Sequence, residues 1–397
     1  MRWSWFTSDH FFNKTRRERK EREERERAFY ENGSKLLEKL IASCNAKPIP
    51  IRTFSPQQLL LATNNYSSEL LGVDWSYWYK GSLEGRIVLI KRTDYDSADL
   101  AINDLVISAQ MSAHSNVLKP IGCCLHTQSP IFVFEFAANG VLADRIFVSR
   151  VTKLQHQPMV WETRLKIARQ IAHALSYLHT AFPRPVIHLY IRTRSILLDE
   201  NDAPKLSDFI HSVSIPEGET DVDAPLVSIF RAPEIDSTGK VTEKADVYDF
   251  GRFLLELLTG EDSLQIFRLT IDKGSTLVAH IRNHAQGSCI SEIVDPAILA
   301  EDGEGVASLE HQLQAVVGLA LTCTEEDPQT RPTMVDVTKQ LRRIERFAQT
   351  NEVLLGNLQN LKLHESFEEH ASASLKRSAS SDEIQAVNEA SERPLEV

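Results

Sequence analysis

The sequence has little that would place it in a membrane, a metal site or a disulfide framework. Across 397 residues no run approaches the roughly 18 consecutive apolar residues of a membrane-spanning helix. The start lacks the uninterrupted apolar stretch of a secretory signal, so a cytoplasmic protein is expected. Arg2 stands where N-myristoylation needs glycine, and no cysteine lies near the C-terminus for prenylation, which argues against simple lipid anchors. There are only five cysteines, Cys44, Cys123, Cys124, Cys289 and Cys323. That odd count, at those spacings, matches neither zinc ligands nor a disulfide set, so reduced thiols and no metal are expected. A formal net charge of -11 provides no global basic field, so nucleic acid is not expected as a partner.

What is present is a composition that folds: 42% hydrophobic and 25% charged, close to the averages of globular proteins. Residues 1–30 combine Trp3, Trp5, Phe6, Phe11 and Phe12 with a mixed-charge run from Lys14 to Arg27. Its Glu and Arg residues allow i,i+4 pairs, which predicts a solvated helix. The competing reading is a peripheral anchor, aromatics in the interface and arginines on anionic lipid, at the inner face of the plasma membrane. Leu36, Leu37, Leu40 and Ile41 then predict a short amphipathic helix within 31–52, ended by Pro48 and Pro50.

Residues 53–136 carry short strand-like runs, notably Arg86–Lys91 and Pro130–Phe136, around one helical stretch near Leu100–Met111: a small β-rich lobe. From 138 to 347 the pattern is helical. Leu165, Ala168, Ile171, Ala172, Leu175 and Leu178 form one buried stripe, and Val247–Leu258 is a largely apolar helix closed by Gly260. A last helix starts at Thr333, capped with Asp336. Residues 348–397 form a tail, Ser-, Glu- and Ala-rich after about Leu363, for which disorder is predicted. The fold class is α+β, in two lobes.

Short segments in this order resemble the protein-kinase signature set over roughly residues 53–347. The segment Leu71-Gly72-Val73-Asp74-Trp75-Ser76-Tyr77-Trp78-Tyr79-Lys80-Gly81 matches the glycine-rich turn over the phosphates, with Gly72 kept and one residue deleted. Trp75, Tyr77 and Trp78 are expected to crowd the phosphate site. Val88-Leu89-Ile90-Lys91 matches the strand whose lysine pairs with the α- and β-phosphates and with a helix glutamate. Asp104 stands at the glutamate position, one methylene short, which either weakens the ion pair or draws the helix inward.

The catalytic loop reads His188-Leu189-Tyr190-Ile191-Arg192-Thr193-Arg194-Ser195, with Tyr190 at the position of the base and Ser195 at that of a metal-binding asparagine. A phenol with a reference pKa near 10 does not replace a carboxylate, and losing a general base typically costs ~10²–10⁴ in rate. Asp208-Phe209-Ile210 keeps the magnesium ligand Asp208, but Ile210 replaces the glycine that lets the loop switch. The resemblance assigns structural roles to Glu234, Asp246 and Arg331. It also implies weak ATP or ADP binding at Gly72, Lys91, Asp104 and Asp208, with no cofactor required. Glu217, Glu219, Asp221 and Asp223 lie in the activation segment, as a partner-binding patch or merely a solvated loop.

Phe54-Ser55-Pro56-Gln57-Gln58-Leu59-Leu60-Leu61-Ala62-Thr63-Asn64-Asn65-Tyr66-Ser67 looks like the start of plant receptor-like kinase domains. Trp161-Glu162-Thr163-Arg164-Leu165 and Leu175-Ser176-Tyr177-Leu178-His179 resemble the wall-associated branch. Upstream, Glu31-Asn32-Gly33-Ser34, Leu36-Leu37-Glu38, Cys44-Asn45 and Pro50-Ile51-Arg52 resemble the plant ZRK pseudokinases. That resemblance implies an adaptor that binds a coiled-coil NLR immune receptor on one side and active receptor-like cytoplasmic kinases on the other. Two other readings stay open: a weakly active serine/threonine kinase, and an allosteric regulator of another kinase outside immunity.

Overall fold

The computed structural model describes residues 5–44, 51–67, 69–73, 76–93, 98–147, 159–225, 232–263, 266, 276–284, 290–299 and 306–346. Pro48, Pro50, Trp75 and the tail from 347 on lie outside them. The two N-terminal segments read separately from the sequence form one continuous helix, α1 (Trp5–Cys44), so the boundary expected at residue 30 is not a break in the backbone. Arg17–Glu21 at 3.0 Å and Arg19–Glu23 at 2.9 Å lace its charged part with i,i+4 pairs. Asn32 and Gly33 do not end the helix because tertiary contacts hold it there. The Asn32 amide donates to the carbonyls of Leu125 (3.0 Å) and Thr127 (2.9 Å), and Phe29 stacks on His126 at 4.5 Å. Among the described residues no helix is long and apolar enough to cross a membrane.

The small lobe is a six-stranded sheet in the order β1-β5-β6-β4-β3-β2. Its strands are β1 (Arg52–Thr53), β2 (Glu69–Val73), β3 (Ser76–Leu83), β4 (Arg86–Thr93), β5 (Pro120–Cys124) and β6 (Ile131–Glu135). Helix α2 (Pro56–Ala62) starts with a Ser55/Gln58 capping box and Pro56 in its first turn. Strand β1 runs parallel to β5, and any Cβ at Gly122 would strike the Arg52 carbonyl and the Phe54 ring, so only glycine fits that crossing. Glu84 and Gly85 both have positive φ, 52° and 77°, as a two-residue hairpin turn requires, and they set the β3–β4 register. In that register Trp78 faces Lys91 and Lys80 faces Leu89. Helix α3 (Ala98–Gln110) covers the sheet, and α1 lies against it through Lys35–Asp99 at 2.9 Å and Lys39–Asn103 at 3.3 Å.

The large lobe begins with α4 (Leu142–Ile146) and α5 (Trp161–Thr180). Every member of the apolar stripe from Leu165 to Leu178 is buried on α5. Then come β7 (Val186–Ile187), β8 (Ile196–Leu198), β9 (Pro204–Leu206), β10 (Val213–Ser214), β11 (Val222–Asp223), α6 (Pro233–Thr238) and β12 (Lys240–Val241). The central helix α7 (Glu243–Thr259) is capped by Thr242 at its start and by Gly260, φ 66°, at its end. Helices α8 (Leu277–His284), α9 (Pro296–Leu299) and α10 (Val306–Cys323) precede α11 over 334–346. The Asp336 N–H donates to Thr333 Oγ1, and that hydroxyl in turn donates to the Asp336 carboxylate, so Thr333 caps α11.

Candidate functional site

Where the two lobes meet, β4 carries Lys91 into the interior, with none of its surface exposed. Its ammonium donates to Asp104 Oδ2 at 2.8 Å and to Asp208 Oδ1 at 2.5 Å. The other Asp104 oxygen accepts the Phe209 backbone N–H at 2.8 Å. Asn103, beside it on α3, donates to the carbonyls of Phe209 (3.1 Å) and Ser212 (2.8 Å). The shortened carboxylate makes the ion pair in full, with α3 resting on the 209–211 turn. Burial alone would push the Lys91 ammonium down, but the two carboxylates reverse this and hold it above its usual range. Burial likewise opposes ionisation of Asp208, and the Lys91 charge overrides it, holding the carboxyl below its ordinary value.

The catalytic loop hangs from Asp246, at the start of α7. Its two oxygens accept the backbone N–H groups of His188 and Leu189, each at 2.8 Å, and Oδ2 lies 2.8 Å from His179 Nε2. His188 Nδ1 accepts the Tyr190 N–H, which places the ring proton on Nε2, facing the Ser207 carbonyl at 3.2 Å. Tyr190, at the position of the base, is covered by the Arg192 guanidinium, 3.6 Å above its ring, and meets the edge of His211 at 5.3 Å. Ser195 is buried, donates its hydroxyl to the Arg192 carbonyl at 2.9 Å and accepts the Arg192 N–H at 3.2 Å. A hydroxyl engaged in its own loop is poorly placed to hold a metal ion. Asp208 has φ 74°, in the left-handed region, while Ile210 is buried within a 3₁₀ turn over Phe209–His211. Among the described residues no three His, Cys, Asp or Glu side chains gather to hold a metal.

Arg331, 2% exposed, pairs with both Glu234 oxygens at 2.7 and 2.8 Å and donates to the carbonyls of Lys244, Glu325 and Glu326. Of the four activation-segment acids, Glu217, Glu219 and Asp223 are exposed and Asp221 is partly covered. Lys240 lies 2.9 Å from Asp223 and 3.6 Å from Asp221, so the patch is partly neutralised by the chain itself.

Trp78 is buried, 3% exposed, on the face of the sheet that carries Lys91, with its ring centre 5.2 Å from Lys91 Nζ and 5.5 Å from that of Phe134. The side chain of Trp75 lies outside the described residues. Gly72 pairs with Tyr77 and Val73 with Ser76. Sequence reasoning missed Trp78 as a neighbour of Lys91, although the Glu84-Gly85 turn signal, counted back along both strands, places them opposite each other. It also missed Asn103 and Asn32, which bond to carbonyls brought near by tertiary packing, and no local signal marks them.

Comparison with known proteins agrees with this geometry. Residues 73–341, about two thirds of the chain, match the family model "Protein tyrosine and serine/threonine kinase". The chain is 39% identical to Serine/threonine-protein kinase ZRK1 of Arabidopsis thaliana, over 82% of this chain and 95% of that protein. It is 38% identical to Non-functional pseudokinase ZRK2 of the same plant (83% and 93% covered) and 39% identical to Non-functional pseudokinase ZED1 (80% and 96%). Wall-associated receptor kinase-like 1 is 34% identical, over 44% of its own length. Two lobes, a paired interior lysine and relatives of nearly the same length converge on one assignment: the chain belongs to the protein tyrosine and serine/threonine kinase family, as a ZRK-type member.

Proposed function

We propose that this chain transfers no phosphate and works by binding. The observation that carries the reading is the state of the catalytic loop. Asp246 holds the architecture through buried hydrogen bonds to the loop backbone, and Arg331 and Lys91 through ion pairs, while the base position carries a phenol stacked under Arg192 and the Ser195 hydroxyl is bonded within its own loop. Chemistry lost at several independent positions, in a fold kept intact, favours a role in which shape matters. Two relatives of similar length carry the name non-functional pseudokinase, while a third is named a kinase.

On this reading the protein is an adaptor in plant immune signalling. It bridges a coiled-coil NLR receptor with leucine-rich repeats and an active receptor-like cytoplasmic kinase, in the cytoplasm or at the inner face of the plasma membrane. The exposed acids Glu217, Glu219 and Asp223 are candidates for the kinase-facing side. Affinity purification of the full chain from leaf tissue tests the proposal. Recovery of both a leucine-rich-repeat receptor and a cytoplasmic kinase is expected, and recovery of neither rejects the adaptor role.

A further inference from the structure

The kinase fold carries a nucleotide slot between its lobes, roofed by the β3–β4 hairpin, floored by β8 and closed behind by the segment joining the lobes. Strand pairing decides what lines it here. Opposed residues of an antiparallel pair share a face, so Trp78, Lys91 and Phe132 form one row across the sheet and Lys80, Leu89 and Phe134 the next. Asp208, from the large lobe, bonds to Lys91, so this is the face that looks into the cleft.

Two of the roof positions are bulky. Trp78 and Leu89 belong to one buried cluster with Phe134, with Ala137 and Val141 beside the lobe junction, and with Leu197 of β8 in the floor. Protein atoms alone bury all of them: Trp78 is 3% exposed, Ala137 1%, Leu197 1% and Leu89 not at all. An indole is a flat bicyclic aromatic of nearly the shape and thickness of a purine. The lysine is committed as well. Lys91 gives its N–H donors to Asp104 and Asp208 and sets its charge 5.2 Å from the centre of the Trp78 ring, within cation–π range.

We propose that Trp78, backed by Leu89, occupies the place of the nucleotide's base, so that the cleft is held closed by its own aromatic ring and excludes adenine nucleotides. The closed arrangement of the lobes then needs no ligand. The inference concerns the cleft alone and stands whichever partners the protein has.

The test titrates ADP and a fluorescent trinitrophenyl-ATP into the full chain, with and without Mg²⁺, for the wild type, Trp78→Val, Leu89→Ala and the double variant. The wild type is expected to show no saturable binding below millimolar nucleotide. The double variant is expected to bind at least about tenfold more tightly. Saturable micromolar binding by the wild type overturns the proposal, and so does a folded double variant that binds no better than wild type. If the double variant does not fold, the wild type and Trp78→Phe decide. Their difference emission isolates Trp78 from the other four tryptophans. Absence of nucleotide binding together with a blue-shifted, iodide-resistant Trp78 signal supports the proposal; a solvent-exposed signal overturns it.

Discussion

Replacing Asp104 by alanine removes two interactions at once, and their sizes can be worked from the structure. The Lys91 ammonium, wholly buried, loses its 2.8 Å partner and keeps Asp208, while the Phe209 N–H loses the Asp104 oxygen that accepts it at 2.8 Å. Breaking a buried ion pair from one side costs about 3–5 kcal/mol, and the surviving Asp208 contact puts this case at the low end. An orphaned buried N–H adds about 1–3 kcal/mol, so the alanine variant is expected to lose about 4–6 kcal/mol in all. Asp104→Asn retains an oxygen for the Phe209 N–H and loses only the charge, so about 2–3 kcal/mol is expected. Asp104→Glu keeps the charge but forces a methylene between α3 and the 209–211 turn, an overpacking cost of about 1–3 kcal/mol. Urea unfolding at neutral pH reads the series against a total stability of about 5–15 kcal/mol. A loss below about 1 kcal/mol for alanine, or asparagine as damaging as alanine, refutes the account of this contact.

Arg331→Ala removes a buried guanidinium from half-buried Glu234 and from three carbonyls, so a loss of about 3 kcal/mol, the low end for a broken buried pair, is expected in the same unfolding assay; a neutral result contradicts the structural role. His114 Nδ1 accepts the Asn116 N–H, Nε2 lies 2.9 Å from His173 Nδ1, and burial, with His173 beside it, pushes the ring down to about 4. A histidine depressed on folding contributes stability that is complete above its unfolded value and is lost as pH falls from about 6.5 to about 4. The acid-side decline should therefore be shallower for His114→Gln, by about 1–2 kcal/mol across that window after solvent screening is allowed for. Asp249, raised to about 6 by burial, acts with the opposite sign but cancels when the two curves are subtracted, and parallel curves would count against the assignment. Serine at Glu217, Glu219, Asp221 and Asp223 should leave the melting temperature unchanged and make binding of the proposed partner kinase weaker and less salt-sensitive; unchanged affinity removes this segment from the proposed interface.

Much of the architecture is legible because it is periodic or local. The α5 stripe, the Gly260 cap and the Thr333–Asp336 cap rest on spacings of three or four residues, and each has one physical solution. The site was legible only as a set of positions. Whether Asp104 would loosen its pair or draw α3 inward depends on where α3 lies against the Phe209 turn, and Asn103 supplies two further bonds to that turn that no spacing announces. Tyr77-Trp78-Tyr79 reads as an aromatic run beside a missing glycine loop. Which ring turns to the Lys91 face is fixed by the Glu84-Gly85 hairpin several residues away, and Tyr79 is buried on the other. Gly33 looks like a helix stop, and the Asn32 amide, bonded to the 125–127 segment, carries α1 past it.

The central claim, that the fold is kept while the chemistry is gone, is tested most directly by phosphate transfer from radiolabelled ATP. The purified chain is assayed on itself and on a generic protein substrate, beside Asp208→Ala to expose any contaminating kinase and Tyr190→Asp to restore the carboxylate. No transfer above the Asp208→Ala background is expected from the wild type or from Tyr190→Asp, because Ser195 and the degenerate glycine-rich segment remain. Wild-type transfer that disappears in Asp208→Ala would show an active kinase and contradict the account.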